Sequence, residues 1–249
     1  MKRILTLFLL TLFFVATAQT TNLVEYTFKN KRGVNDVGRE YLVFNDSELY
    51  YANISNDNNL NYEDDKLGKE RFNYEPIYIN LKTDSLYQNR IGILKKNSAE
   101  MKRFILVETK PVMSWKVTKE SKKILGYTCY KATTKFRGRD YTAWFTPDIP
   151  YNLGPWKLGG LPGLILKVEN DLFDYDAIRI VLNSDKIPTI PKLKNFENAK
   201  RKYTMTRTIE FENNWLTYLK NNFIASLPTG NRVQESPLRK DVREFPIDE

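Results

Sequence analysis

The strongest constraint on the fold is a period of two. From Val24 onward, short runs alternate apolar and polar residues, and clusters of Gly, Pro, Asn and Asp separate them. Successive residues of an extended chain point to opposite sides, so each run can bury one face and leave the other wet. The pattern predicts strands at Val24–Lys29, Glu40–Phe44, Leu49–Ile54, Ile77–Leu81, Leu86–Ile91, Arg103–Glu108, Ser114–Thr118, Thr128–Phe136, Tyr141–Thr146, Leu164–Glu169 and Tyr175–Leu182. Neither a fixed-period repeat nor an alternation of strand and helix interrupts this order. The expected class is mainly β (α+β): a curved antiparallel sheet or half-barrel with a C-terminal helix packed on it.

The clearest hairpin spans Thr128 to Thr146. Setting Gly138-Arg139 at the centre of a type II′ turn puts glycine where φ must be positive. Phe136 then faces Tyr141, Thr134 faces Ala143 and Ala132 faces Phe145, giving one apolar face. Lys135, Thr133 and Lys131 line up with Thr142, Trp144 and Thr146 on a polar one. A slip of one residue would exchange the two faces. A second hairpin joins Leu164–Glu169 to Tyr175–Leu182 through Asn170–Asp174.

Outside the strands the pattern changes. Lys2 and Arg3 precede an apolar run, Ile4–Val15, and Ala16-Thr17-Ala18 follows with small residues. That is the layout of a secretory leader cleaved before Gln19, and the run is short of the roughly 20 apolar residues of a spanning helix. The expected organisation is a signal peptide at 1–18, a single β-rich domain at 19–228 and a polar tail at 229–249. The chain is expected to be exported through the Sec pathway to the periplasm or outer envelope, soluble and without a transmembrane segment. Toward the C-terminus, Ile209, Leu216, Leu219 and Phe223 recur at helical spacing, with Trp215 and Tyr218 widening the stripe, which predicts a helix over Thr208–Phe223.

Composition narrows the chemistry. The chain has no histidine and one cysteine, Cys129. Histidine-based nucleophile systems cannot be built, and the usual zinc, copper and haem sites lack their preferred ligands. No intramolecular disulfide can form. No metal, no cofactor and no catalytic residue is expected. Cys129 reads as a small apolar filler, although the hairpin register sets it on the more polar face.

The remaining candidates are local. Asn56–Asp65 is the most polar loop, but Tyr62 and Gly68 stand where an EF-hand needs glycine and glutamate. Asp148, Glu169, Asp171, Asp174 and Asp176 flank a Gly/Pro-rich loop, and several occupy turns that aspartate favours for backbone reasons. Basic residues concentrate in segment 186–207, where Lys186, Lys192, Lys194, Lys200, Arg201, Lys202 and Arg207 stand against Glu197 alone. Such a segment suits an anionic surface, or simply a solvated face. No nucleic-acid motif is present, and no nucleic-acid partner is expected. Trp115, Tyr127, Trp144, Tyr151 and Trp156 could line a groove, and they equally suit plain core packing.

Trp115-Lys116-Val117, Ile124–Thr133, Phe136–Thr146, Pro150, Gly154-Pro155-Trp156 and Gly160-Leu161-Pro162-Gly163-Leu164-Ile165 together resemble the central block of the GLPGLI family. The resemblance covers about Trp115 to Asn170. It implies an exported β-rich protein of Bacteroidetes-type bacteria, with no established activity or catalytic residue. The Gly-Tyr-x-Cys strand, the Trp-Phe-Thr strand and the Leu-Pro loop also look like half-barrel periplasmic lipoprotein carriers. The expected function is therefore non-enzymatic: binding of a lipid-like or other apolar ligand, a peptide or an envelope protein in a groove beside the loop. Trp115, Trp144, Trp156, Leu161, Pro162 and Gly163 are its expected ligand-binding residues. The alternative is a carboxylate-based hydrolase acting on envelope glycans, with two acids facing one cleft at about 5–10 Å.

Overall fold

The computed structural model describes residues 20–31, 37–54, 76–95, 98–185 and 199–226, together with Ile187 and Phe196. The leader, the Asn56–Asp65 loop, Lys186, Lys192, Lys194, Glu197 and the 229–249 tail lie outside the described residues. Twelve strands among the described residues form one sheet: β1 Thr21–Asn30, β2 Val37–Phe44, β3 Glu48–Ile54, β4 Ile77–Asn80, β5 Ser85–Gly92, β6 Lys102–Thr109, β7 Lys116–Ile124, β8 Tyr127–Phe136, β9 Arg139–Thr146, β10 Leu164–Glu169, β11 Phe173–Ser184 and β12 Lys202–Tyr203. Helix α1, Met205–Ala225, follows. All the expected strands are present, and the mainly β class with a C-terminal helix holds. No described helix is long and apolar enough to cross a membrane.

The strand order is β12-β6-β5-β4-β3-β2-β1-β11-β10-β9-β8-β7. Every pairing is antiparallel except β12 with β6. One apolar cluster draws residues from Leu86 on β5 round to Ala132 on β8, strands far apart in that order, so the sheet curls around it. Alternation sorts the two faces. Leu42, Phe44, Leu49, Tyr51, Ile77 and Ile79 point into this interior, whereas Tyr41, Val43, Tyr50, Ala52 and Tyr78 point outward. The outward set is covered by Ile187, Phe196 and Ala199 from the segment after β11, with Phe196 stacked on Tyr78. The β2–β5 half of the sheet is thus buried on both faces.

Two tight turns fix the other half. Leu125-Gly126 (φ 50° and 86°) and Arg137-Gly138 (φ 47° and 74°) both place two residues in the left-handed region. That is the type I′ geometry, whose twist matches the flanking strands. The β8–β9 turn therefore centres on Arg137-Gly138, not on Gly138-Arg139, and the observed partners are Phe136 with Arg139, Thr134 with Tyr141 and Ala132 with Ala143. The offset from expectation is two residues, which changes every partner but leaves each side chain on its expected face. The second hairpin closes on Asn170, whose Oδ1 accepts from the Leu172 and Phe173 amides.

Helix α1 packs its N-terminal half on the β5–β6–β12 end of the sheet. Phe211 meets Phe104 and Tyr203 edge-on, Glu212 pairs with Arg90, and Asn214 donates to the Ile93 carbonyl. The expected apolar stripe is corrected here. Thr208 and Phe211 are the buried residues, whereas Leu219 and Phe223 remain 43% and 60% exposed because the helix outruns the sheet.

Candidate functional site

Loop 147–163 connects β9 to β10, and it turns inward. Ile149, Leu153, Trp156, Leu158 and Leu161 are all buried in the interior cluster. Backbone shape makes this possible. Gly163 has φ 148°, and a Cβ there would sit 2.1 Å from the Thr146 carbonyl oxygen. Trp156 holds φ 56°, a left-handed backbone that costs a side-chain-bearing residue about 1–2 kcal/mol. Trp115 Nε1 donates to the Gly159 carbonyl at 2.8 Å and ties the loop to the chain entering β7. The loop is the filling of the curved sheet.

Of the expected ligand-binding residues, Trp156, Leu161 and Gly163 are buried in that filling, Trp115 is half-buried against it, and Pro162 is exposed at the surface. Trp144 is also half-buried against that cluster, but from a strand position of opposite direction. Its neighbours Ala143 and Phe145 point inward, so it occupies the outer face. There Lys122 Nζ lies 4.0 Å from its ring centroid. Cys129 is fully buried, as its filler role requires, and burial pushes its thiol up to about 11.

The outer face of strands β8, β9, β10, β11 and β1 carries the polar chemistry. Lys131, Trp144, Lys167, Asp176 and Thr27 form one row of successive ladder partners. Thr133, Thr142, Glu169, Asp174 and Lys29 form the next. Lys167 Nζ donates to Asp176 at 2.7 Å and to Asp174 at 3.2 Å, so one ammonium joins two carboxylates. Burial lowers the Lys167 pKa, but the hydrogen bonds and charges of Asp176 and Asp174 outweigh it and hold the ammonium above its ordinary value. Glu169 lies opposite Asp174 and pairs with Lys31 at 3.5 Å, while Arg139 holds both oxygens of Asp171 at 2.7 Å. Asp148 is exposed on the loop. The five acids expected near the loop thus divide: Glu169, Asp174 and Asp176 share one patch, and Asp148 and Asp171 do not belong to it. Carboxylates on an open face beside an indole can accept hydrogen bonds from hydroxyl groups and stack on an apolar ring face.

A second charged group is internal. Glu108 on β6 accepts from Lys157 Nζ at 2.5 Å through Oε1 and from Arg137 Nη2 at 2.6 Å through Oε2. The side-chain exposures of Lys157, Arg137 and Glu108 are 0%, 8% and 12%. Sequence reasoning missed this trio because its members share no local spacing. It also missed the part played by Lys167, which the register Glu169 opposite Asp174 would have disclosed.

Residues 44–206 match the family described as N-glycanase peptide, N-terminal domain. The chain belongs to that family. Among solved structures it is similar to PNGF-II in two crystal forms. The C2 form gives a TM-score of 0.53 at 20% identity, covering 78% of this chain and 32% of that one. The P21 form gives 0.54 at 20% identity, covering 78% and 34%. The chain therefore spans about a third of the length of the structures it matches. No curated protein matches it. The family match overturns the expectation of a non-enzymatic, groove-binding protein and favours the glycan-hydrolase alternative.

Proposed function

We propose that this chain serves glycan hydrolysis as a domain of the N-glycanase type. The match of residues 44–206 to an N-glycanase N-terminal domain carries the reading. The outer face supplies a place for it to act. Lys122, seated over the Trp144 ring, offers a donor to sugar hydroxyls, and Asp174 and Asp176, fixed by Lys167, accept hydrogen bonds from them or from an attacking water. No histidine is needed for such carboxylate chemistry. The leader-like start supports action outside the cytoplasm, and the resemblance to GLPGLI proteins supports an envelope setting in a Bacteroidetes-type cell. The basic residues Lys200, Arg201, Lys202 and Arg207, all exposed, suit an anionic surface there.

The test is incubation of the purified chain with an N-glycosylated glycoprotein. Released glycan is measured by mass spectrometry, and binding to the immobilised glycan is measured in parallel. Release or binding that Trp144→Ala and Asp176→Asn both weaken supports the reading. Neither release nor binding by the folded wild-type chain sinks it.

A further inference from the structure

We propose that Glu108 is a clasp that seats loop 147–163 in the interior, and that this loop opens as one unit ahead of global unfolding when the clasp is broken. The sheet order places β6 next to one end and β8 next to the other. No ladder among the described strands joins β6 to β8 or β7, yet Glu108 on β6 reaches Arg137 in the β8–β9 turn at 2.6 Å. The same carboxylate takes Lys157 of the loop at 2.5 Å. One side chain thus bridges the gap in the curl and pins the piece that fills it.

The loop is otherwise held by means that can be undone together. Its backbone bonds from Leu158 to Pro155 and from Gly160 to Asn152 are internal and would travel with it. Its ties to the rest of the chain are the Leu164 amide to the Ile149 carbonyl and the Ile165 amide to the Leu153 carbonyl at its base, Trp115 Nε1 to the Gly159 carbonyl, and the Tyr151 hydroxyl, which accepts from Asn22 and donates to Asp46. An opening of the whole loop breaks all of them. Trp156 sits at φ 56°, strain that opening relieves. Phe136 and Trp156 pack at 6.0 Å directly beside the trio, so the clasp also sets where the aromatic filling rests. Removing the Glu108 charge leaves the Lys157 and Arg137 cations sharing a water-poor site without the carboxylate that joins them. Breaking one partner of a buried ion pair is far costlier than losing an exposed one.

The experiment is hydrogen exchange on the full chain, read by mass spectrometry at low urea. In the wild type, peptides covering 147–163 should exchange through an opening with weaker urea dependence than peptides from β1 and β11. Glu108→Gln should speed exchange in the loop on the order of 100-fold while changing the β1–β11 ladder much less. Replacing the whole trio with uncharged side chains, Glu108→Leu with Lys157→Met and Arg137→Asn, should restore most of the loop's protection. Equal acceleration of the loop and of β1 in Glu108→Gln overturns the proposal. If that variant does not fold, the wild type decides alone: identical urea dependence for loop and ladder also overturns it.

Discussion

Gly163 and Gly160 lie three residues apart in one loop, both with positive φ, and they should respond very differently to a methyl group. At Gly160 (φ 87°) an added Cβ meets nothing within 4 Å, so Gly160→Ala carries only the backbone cost, about 1 kcal/mol. At Gly163 (φ 148°) the same atom would lie 2.1 Å from the Thr146 carbonyl oxygen, 2.7 Å from its carbon and 2.9 Å from Pro147 Cα. These are backbone atoms of the strand end that pairs with Leu164, and they cannot swing aside as a flexible side chain can. Backbone strain of about 1–3 kcal/mol adds to an overpacking cost of similar size, so Gly163→Ala should lose about 3–5 kcal/mol. Against a typical domain stability of about 5–15 kcal/mol that is a large fraction. Urea unfolding followed by tryptophan fluorescence measures it. With a slope of about 1–3 kcal/mol per molar, Gly163→Ala should move the midpoint down by at least about 1 M, and Gly160→Ala by about a third of the Gly163→Ala shift or less. Equal shifts for the two variants would refute the argument that close approach, and not mere flexibility, dictates glycine at 163.

Other outcomes follow from single sites. Leu125 occupies the first left-handed position of a type I′ turn and is 46% exposed, so Leu125→Asn should raise stability by about 0.5–1 kcal/mol, read as an increase in Tm. Lys167→Met leaves Asp174 and Asp176 without their shared ammonium and should cost about 0.5–1 kcal/mol, more at low salt than at high. Because the Lys167 pKa is raised, its contribution should be complete below the ordinary lysine value and lost as pH climbs from there through the raised one. Cys129, with its thiol pushed up to about 11, should resist a thiol reagent until the chain unfolds. Its share of stability should be full below the ordinary thiol value and fall as pH rises toward 11, a decline that Cys129→Ala should lack.

The strands were legible because alternation is a local signal: at Leu42–Phe44 and Leu49–Tyr51 it separates inward from outward residues directly. β12 escaped notice since Lys202–Tyr203 is too short to show any period. β1 is buried on both faces for most of its length, which depends on what covers it and not on its own pattern. The β8–β9 faces were readable while the partners were not, because a two-residue shift preserves facing and only turn geometry sets the register. The helix was readable from its spacing, but its contact stripe depends on where the sheet ends. For the site, the loop's demanding backbone was visible at Gly159–Gly163. Its inward direction was not, since Trp156 and Leu161 suit a groove and a core equally. The trio Glu108, Arg137 and Lys157 assembles only when the sheet curls, and no spacing in the chain announces it.

The central position of β1 has a consequence for how the molecule is made. Thr21–Asn30 pairs on one side with β2, close by in sequence, and on the other with Phe173–Ser184, which is synthesised much later. The earliest of the described strands therefore waits for one of its two neighbours until Phe173–Ser184 has been made. Until then it presents Leu23, Val24, Tyr26 and Phe28 with an open edge, the kind of surface that invites wrong partners. The β1–β11 ladder can close only once Phe173–Ser184 has been made, and a chain truncated before Phe173 would expose its own centre as an edge.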